Sequence, residues 1–117
     1  MELDIFTRQY LITALWSSMD ESTPEGGEPM DKHYSIEHFA PETLAAAIAD
    51  CDKFQADNAD DIAADPSLAG HDFWLTRNHH GAGFWDGDWP EGERLTEASQ
   101  AYREVNLYIG DDGKIYA

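Results

Sequence analysis

The apolar positions along the chain follow different patterns in its two halves. Between residues 3 and 18 they recur every three or four residues, as on one face of a helix: Leu3, Phe6, Tyr10 and Ala14, with Leu11, Leu15 and Trp16 beside them. The same spacing over residues 41–64 predicts a second, longer helix. Pro41 suits its first position, because a proline there loses no hydrogen bond. We expect the buried face of this helix to contain Leu44, Ile48, Cys51 and Ile62.

The second half of the chain alternates short aromatic or β-branched segments with turn residues. This pattern predicts four strands, at residues 72–78, 83–86, 105–109 and 114–116. It also predicts a third helix at residues 91–103. The first two strands would form a hairpin, and an Asp-Gly turn would join the last two. The order α-α-β-β-α-β-β predicts an α+β fold, an antiparallel sheet of about four strands with the helices packed on one face.

Residues 20–32, between the first two predicted helices, have a different composition. They include two prolines, two glycines and five acidic residues. Such a segment buries little apolar surface, so it is predicted to be a mobile acidic loop. The length of the chain is that of one domain, which is expected to span residues 1–117.

The charge of the chain restricts its function. It has 24 Asp and Glu residues against seven Lys and Arg, for a net charge of -17. Direct binding to nucleic acid or to an anionic membrane is therefore not expected, since both need a basic surface. No apolar run approaches the ~20 residues of a membrane span, and the first residues do not resemble a signal peptide. A cytoplasmic protein is expected, and its single cysteine, Cys51, excludes an internal disulfide.

Several short motifs together form an unusual pattern. Residues 72–78 read Asp-Phe-Trp-Leu-Thr-Arg-Asn, residues 81–86 read Gly-Ala-Gly-Phe-Trp-Asp, and residues 107–116 read Leu-Tyr-Ile-Gly-Asp-Asp-Gly-Lys-Ile-Tyr. With Tyr-Ser-Ile at 34–36 and Ala-Pro-Glu-Thr-Leu at 40–44, the pattern resembles that of a family of small acidic proteins encoded by tailed bacteriophages and related mobile elements. The resemblance implies a phage origin and a location in the host cytoplasm. It implies no catalytic residues, because the family has no established biochemical activity.

The second predicted helix carries a row of carboxylates opposite its apolar face. Asp50, Asp57 and Asp61 lie at spacings of seven and four, and Asp60 widens the row. At 1.5 Å per residue these carboxylates extend over roughly 16 Å, a length comparable to several phosphates of a DNA strand at ~3.4 Å each. The row is therefore predicted to imitate a phosphate backbone and to bind a basic protein. The simpler interpretation is a solvated face that keeps the protein soluble.

The predicted hairpin is the second candidate site. Arg77, Asn78 and His80 are suited to binding an oxyanion or transferring a proton, and Trp85 and Trp89 to anchoring a partner. The simpler interpretation is structural. In that case Asn78 and the histidines shape a turn, Arg77 pairs with a carboxylate, and the tryptophans pack in the core.

Histidines and carboxylates cluster near this hairpin without a known metal-binding pattern. The cluster contains His71, Asp72, His79, His80, Asp86 and Asp88. No His-Glu-x-x-His or Cys-x-x-Cys motif is present, and Pro90 and Glu91 interrupt the calcium-loop pattern that begins at Asp86. No nucleophile is marked, since Cys51 lies on an apolar helix face. We therefore expect no metal, no cofactor and no catalytic residues.

These observations favour a small non-enzymatic phage-type protein that binds, and inhibits or modulates, a basic nucleic-acid-binding protein of the host. A restriction or CRISPR-type defence complex is the expected kind of target. Asp50, Asp57, Asp60 and Asp61 would make the main contacts, with aromatic residues near 85–89 as anchors. One alternative is a phage accessory protein that uses residues 71–89 to bind a ligand or a phage partner. Another is a small hydrolase or metal enzyme.

Overall fold

A computed structural model describes residues 3–22, 27–87 and 89–117. This part of the chain forms five α-helices and two antiparallel sheets of two strands each. The helices are α1 (Ile5–Ser17), α2 (Pro41–Asp57), α3 (Ala59–Ile62), α4 (Pro66–Arg77) and α5 (Gly92–Gln100), and the strands are β1 (Met19–Asp20), β2 (Glu28–Pro29), β3 (Tyr108–Ile109) and β4 (Ile115–Tyr116). The predicted mixture of helices and antiparallel strands is confirmed, but the predicted four-stranded sheet is wrong.

Helix α1 forms where the apolar spacing predicts it. Asp4 caps its first turn, because Oδ1 of Asp4 accepts a hydrogen bond from the backbone N–H of Thr7 at 2.8 Å. Phe6 and Tyr10 are buried on the face that packs along α4. Trp16 is exposed near the end of the helix, although its ring contacts that of His71, so it is not part of the buried stripe.

The aromatic segment predicted as a strand over residues 72–78 is helical as far as Arg77, so that prediction is wrong. It belongs to α4, which begins at Pro66; Oδ1 of the preceding Asp65 accepts a hydrogen bond from the N–H of Leu68 at 3.1 Å. Burial of Phe73 and Trp74 against α1 outweighs the preference of aromatic residues for strands, which depends strongly on context. Pro66 is the first residue of this helix, a position at which proline loses no hydrogen bond.

Helices α1 and α4 approach each other closely at Gly70. A Cβ added at this glycine would collide with the carbonyl oxygen of Phe6. The close approach brings the ring of Phe73 to centroid distances of 5.9 Å from Phe6 and 5.4 Å from Tyr10. Gly70 therefore permits the close packing of these two helices.

Residues Phe84–Asp86 form a 3₁₀ turn in place of the second predicted strand. The preceding Gly83 has a φ of 150°, a conformation that glycine adopts readily. The backbone N–H of Phe84 donates a hydrogen bond to Oγ1 of Thr76 at 3.0 Å, which joins the turn to α4. The predicted hairpin of residues 72–78 with 83–86 is therefore wrong.

The long helix predicted over residues 41–64 is divided at Asn58. Helix α2 ends at Asp57, and the side-chain amide of Asn58 donates a hydrogen bond to the carbonyl of Phe54 at 2.9 Å. The backbone N–H of Asn58 donates to the same carbonyl at 3.0 Å, so the backbone and the side chain of Asn58 together cap the helix at this point. Helix α3 is a separate single turn that follows the break.

Aromatic rings form the centre of the core. Phe54 of α2 stacks on Phe73 of α4 at a centroid distance of 4.2 Å, and Phe84 lies 5.8 Å from Phe54. Among the residues predicted on the buried face of the second helix, Cys51 and Ile62 are buried, whereas Leu44 and Ile48 are half-buried. The core therefore lies between helices and is not built on a sheet, and α2 enters it only through its C-terminal half, with Cys51 and Phe54.

The last two strands form the predicted Asp-Gly hairpin. Tyr108 pairs with Tyr116 and Ile109 with Ile115, and Gly113 in the turn has a φ of 78°. Both strands are two residues long and so are shorter than predicted. Helix α5 also ends before residue 103.

Residues 20–32 are more involved in the fold than their composition predicts. Strands β1 and β2 pair with Met19 opposite Pro29, and Met30 is buried against the core. The expectation that this segment buries almost nothing is therefore wrong at Met30. Residues 23–26, in the middle of the predicted mobile loop, lie outside the described residues.

Candidate functional site

Three of the four predicted partner-binding carboxylates lie together. Asp57, Asp60 and Asp61 line a polar hollow of about 300 Å³ where α2 ends and α3 begins, and Arg94 of α5 also lines it. We refer to this feature, with Asn58, as the acidic hollow. Because the helix breaks at Asn58, the carboxylates line a concave surface rather than a straight row.

Two carboxylates of the acidic hollow form ion pairs. Nζ of Lys53 lies 2.8 Å from Oδ2 of Asp57, and Nη2 of Arg94 lies 2.9 Å from Oδ1 of Asp61. Asp60 is exposed and has no ion-pair partner among the described residues. The two cations lower the net charge of the hollow, but surface ion pairs contribute only about 0–1 kcal/mol. An incoming cation can therefore replace Lys53 beside Asp57 at small cost, whereas the Asp61 side chain is only 17% exposed and stays closer to Arg94.

Asp50, the fourth predicted carboxylate, has a different environment. Its Oδ2 accepts a hydrogen bond from Nη1 of Arg77 at 2.9 Å, and 38% of its side chain is exposed. The side chain of Arg77 is only 3% exposed, so Asp50 is the counter-ion of a buried cation. The interpretation of Asp50 as part of a free acidic row is therefore corrected.

Arg77 joins several elements of the fold. Its guanidinium donates hydrogen bonds to the carbonyls of Tyr102 and Arg103, both at 2.8 Å, and to the hydroxyl of Tyr10 at 3.0 Å, besides the one to Asp50. These bonds hold the segment after α5 against α1, α2 and α4. The structural interpretation of Arg77 is confirmed, and its assignment to a partner-binding hairpin is corrected.

Neither Tyr10 nor Cys51 is activated as a nucleophile. Burial raises the pKa of the Tyr10 hydroxyl, although the charge of Arg77 acts in the opposite direction. Burial also raises the pKa of the Cys51 thiol, although a hydrogen bond with Thr7 opposes it. A thiol with a raised pKa keeps its proton and reacts slowly. Both groups therefore belong to the packing of the core.

Asn78 and His80 follow α4 and differ in their environment. The side-chain amide of Asn78 donates a hydrogen bond to the carbonyl of Trp74 at 2.9 Å, and its Oδ1 accepts one from the backbone N–H of Val105 at 2.8 Å. Asn78 therefore caps α4 and holds the segment after α5, which makes its role structural. His80 is exposed and remains accessible.

The two tryptophans predicted to anchor a partner have opposite environments. Trp85, in the 3₁₀ turn, is 54% exposed and accessible to a partner. Trp89 is 8% exposed, and its Nε1 donates a hydrogen bond to Oδ2 of Asp72 at 2.8 Å. Trp89 is therefore a core residue, and its assignment as an anchor is corrected.

Asp72 is a buried carboxylate of α4 with a partner on each oxygen. Its Oδ1 lies 2.9 Å from Nδ1 of His71, and its Oδ2 accepts the hydrogen bond from Trp89. Burial raises the pKa of Asp72, whereas the contacts with His71 and Trp89 act in the opposite direction. Asp72 therefore connects α4 to the segment before α5.

The histidines of the predicted cluster are dispersed. The ring of His71 contacts that of Trp16, and Nε2 of His79 lies 3.9 Å from a carboxylate oxygen of Glu104. In the ranges 3–22, 27–87 and 89–117, no three His, Cys, Asp or Glu residues are close enough to bind one metal ion. Asp88 lies outside these ranges.

An apolar cleft between α1 and α2 is a feature for which the sequence carries only a weak signal. Its volume is about 180 Å³, and Tyr10, Leu11 and Trp74 form its buried floor. Ala46 and Ala47 line it on the side of α2. Ala46 and Ala47, two of the three alanines at 45–47, are the signal, because small side chains on the helix face toward α1 leave space. We refer to this feature as the apolar cleft.

None of the helices described in the structure has both the length and the apolar composition needed to cross a membrane.

Comparisons with protein-family models, with curated proteins and with solved structures give no match for this chain.

Proposed function

We propose that this chain is a small acidic protein that binds the basic surface of a nucleic-acid-binding protein through the acidic hollow. The observation that supports the proposal most is the position of Asp57, Asp60 and Asp61 around one concave surface. The ion pair of Asp57 with Lys53 is exposed and therefore exchangeable, and Asp60 is exposed as well. A lysine or arginine of a partner would enter the hollow and take the place of Lys53.

The charge of the whole chain supports the same kind of partner. Of the seven Lys and Arg residues that oppose 24 acidic residues, Arg77 is buried within the fold. The outer surface is therefore strongly negative. Such a surface attracts basic proteins over long distances and raises their association rate, most of all at low salt.

The phage-type motifs indicate the class of partner. A phage protein in the host cytoplasm benefits its genome by blocking host proteins that cleave DNA. We therefore propose a restriction or CRISPR-type defence complex as the target. The chain would act without catalysis, by occupying the surface that binds nucleic acid, and the exposed Trp85 is available as an additional apolar contact.

The test measures whether the chain displaces a labelled DNA duplex from a purified restriction enzyme and from a purified CRISPR-type effector. We expect displacement from at least one of them, because the carboxylates would occupy the site of the phosphates. Raising salt from about 0.1 M to 1 M shortens the Debye length from ~10 Å to ~3 Å, so the affinity should fall by about tenfold or more. Equal affinity at both salt concentrations contradicts the proposal.

Two matched triple variants assign the effect to the acidic hollow. The variant Asp57→Asn, Asp60→Asn, Asp61→Asn removes three charges there, whereas the control Glu21→Gln, Glu37→Gln, Asp111→Asn removes three exposed charges elsewhere. The first variant should associate more slowly and lose displacement, and the control should keep most of it. If both variants behave alike, the hollow is not the binding surface.

A further inference from the structure

The apolar cleft is open because of the side chains that α2 presents to it. Those side chains are Glu42, Thr43, Ala46, Ala47 and Asp50, which share one helix face. The two alanines lie in the middle of this face, opposite the large rings of Tyr10 and Trp74. Small residues there leave a space that leucine or isoleucine would fill in an ordinary core.

The volume of the cleft fits one side chain. An apolar cavity of about 150 Å³ binds benzene, so the apolar cleft, at about 180 Å³, has room for one aromatic or branched aliphatic group. Pockets for whole small-molecule ligands are larger, at about 300–1,000 Å³. The cleft therefore suits a single anchoring side chain of another protein.

A carboxylate lies at each end of the cleft. Glu42 and Asp50 are eight residues apart, which is about 12 Å along a helix. Glu42 is exposed, and Oδ1 of Asp50 makes no hydrogen bond within the described part of the chain, while Oδ2 binds Arg77. The complement of this arrangement is an apolar group with a cation on either side.

We infer that the cleft binds an extended basic segment of a partner protein, with one apolar side chain in the cavity and a Lys or Arg two positions before and after it. Residues i, i+2 and i+4 of an extended strand point to the same side, and i and i+4 are about 13 Å apart at ~3.3 Å per residue. That distance matches the spacing of Glu42 and Asp50. The two cations can therefore contact these carboxylates while the apolar side chain between them occupies the cleft.

The basic character of this segment rests on the proposed function, but the site does not. The apolar cleft and the acidic hollow share no lining residue. A second copy of this chain does not provide the segment, because no two of its Lys and Arg residues are four positions apart. The occupant is therefore a different protein.

The test uses the full chain and the peptide acetyl-Lys-Gly-Phe-Gly-Lys-amide as the probe, in a chemical-shift titration. We expect millimolar binding with the largest shifts at Ala46, Ala47 and the indole N–H of Trp74. Replacing Phe by Ala in the peptide, or both Lys by Gln, should weaken binding about tenfold, because each change removes one of the two complementary features. A peptide with Glu in place of Lys that binds equally well overturns the inference.

A matched pair of variants locates the binding. Ala47→Leu fills the cleft and should weaken the peptide about tenfold without lowering the melting temperature. Ala45→Leu adds the same side chain on the exposed side of α2, so it should change neither the affinity for the peptide nor the melting temperature. If Ala47→Leu does not fold, Ala46→Leu gives the same test. Peptide binding that survives a filled cleft overturns the inference.

The outcomes separate this inference from the proposed function. If the wild-type chain displaces DNA from its target but the peptide gives no shifts, the cleft inference alone is overturned. If the peptide binds the cleft while the Asp57, Asp60 and Asp61 triple variant displaces DNA as well as the wild type, the proposed function alone is overturned.

Discussion

Arg77 is the residue on which the packing of three helices and the last part of the chain depends. A buried guanidinium needs hydrogen-bond acceptors and a counter-charge, since a charge removed from water without them is very costly. Tyr10, Tyr102 and Arg103 supply acceptors, and Asp50 supplies both an acceptor and the charge. Asp50 is therefore more important for stability than its partly exposed position indicates.

The substitution Asp50→Asn tests this role. Asparagine keeps an acceptor for Arg77 but removes the counter-charge, so we expect a loss of about 1–3 kcal/mol in the free energy of unfolding. The matched control is Asp52→Asn, an exposed position on the same helix, which should change stability by less than about 0.5 kcal/mol. Urea unfolding of both variants measures the difference. Equal midpoints would show that the ion pair contributes nothing.

At the scale of elements, local signals were predictable and contacts distant in sequence were not. Helix α1 and the Asp-Gly hairpin follow from spacing and turn chemistry within a few residues. Helix α4 does not, because its aromatic composition favours a strand and only packing against α1 decides for a helix. The start of α4 had a local signal, since Asp65 followed by Pro66 is a typical N-terminus of a helix.

The candidate site, too, was predictable only where it depends on residues close together in the sequence. The charge of the acidic residues is visible in the sequence, but the shape of the acidic hollow depends on the break at Asn58 and on Arg94, which is 33 residues from Asp61. The pairing of Asp50 with Arg77 spans 27 residues, so spacing along one helix placed Asp50 in the wrong group. The apolar cleft needs three helices and is not encoded by any one of them.

The substitution Gly70→Ala tests the crossing of α1 and α4. Alanine is the better helix former by about 1 kcal/mol, so α4 in isolation would be stabilised. In the folded chain the new Cβ would collide with the carbonyl oxygen of Phe6, and we therefore expect a lower melting temperature. At Gly81 an added Cβ meets nothing within 4 Å, so Gly81→Ala is the control and should not lower it. Stabilisation by Gly70→Ala would mean that the helices do not approach as closely as described.

For the whole molecule, the net charge of -17 favours binding to a basic partner but lowers the stability of the folded chain. The described part of the chain measures about 43 × 30 × 21 Å, so at a Debye length of ~30 Å almost every charge repels the others. The same unscreened field attracts a basic partner from a distance. Conditions that favour association are therefore those in which the folded chain is least stable.

This conflict predicts that salt changes stability and binding in opposite directions. Raising sodium chloride from about 0.01 M to 1 M shortens the Debye length from ~30 Å to ~3 Å. The melting temperature should rise by several degrees because self-repulsion is screened, while affinity for a basic partner falls. The control triple variant Glu21→Gln, Glu37→Gln, Asp111→Asn carries three fewer negative charges, so its melting temperature should be higher at low salt and rise less. A melting temperature that falls with salt would instead show that ion pairs such as Arg94–Asp61 outweigh the repulsion of the remaining carboxylates.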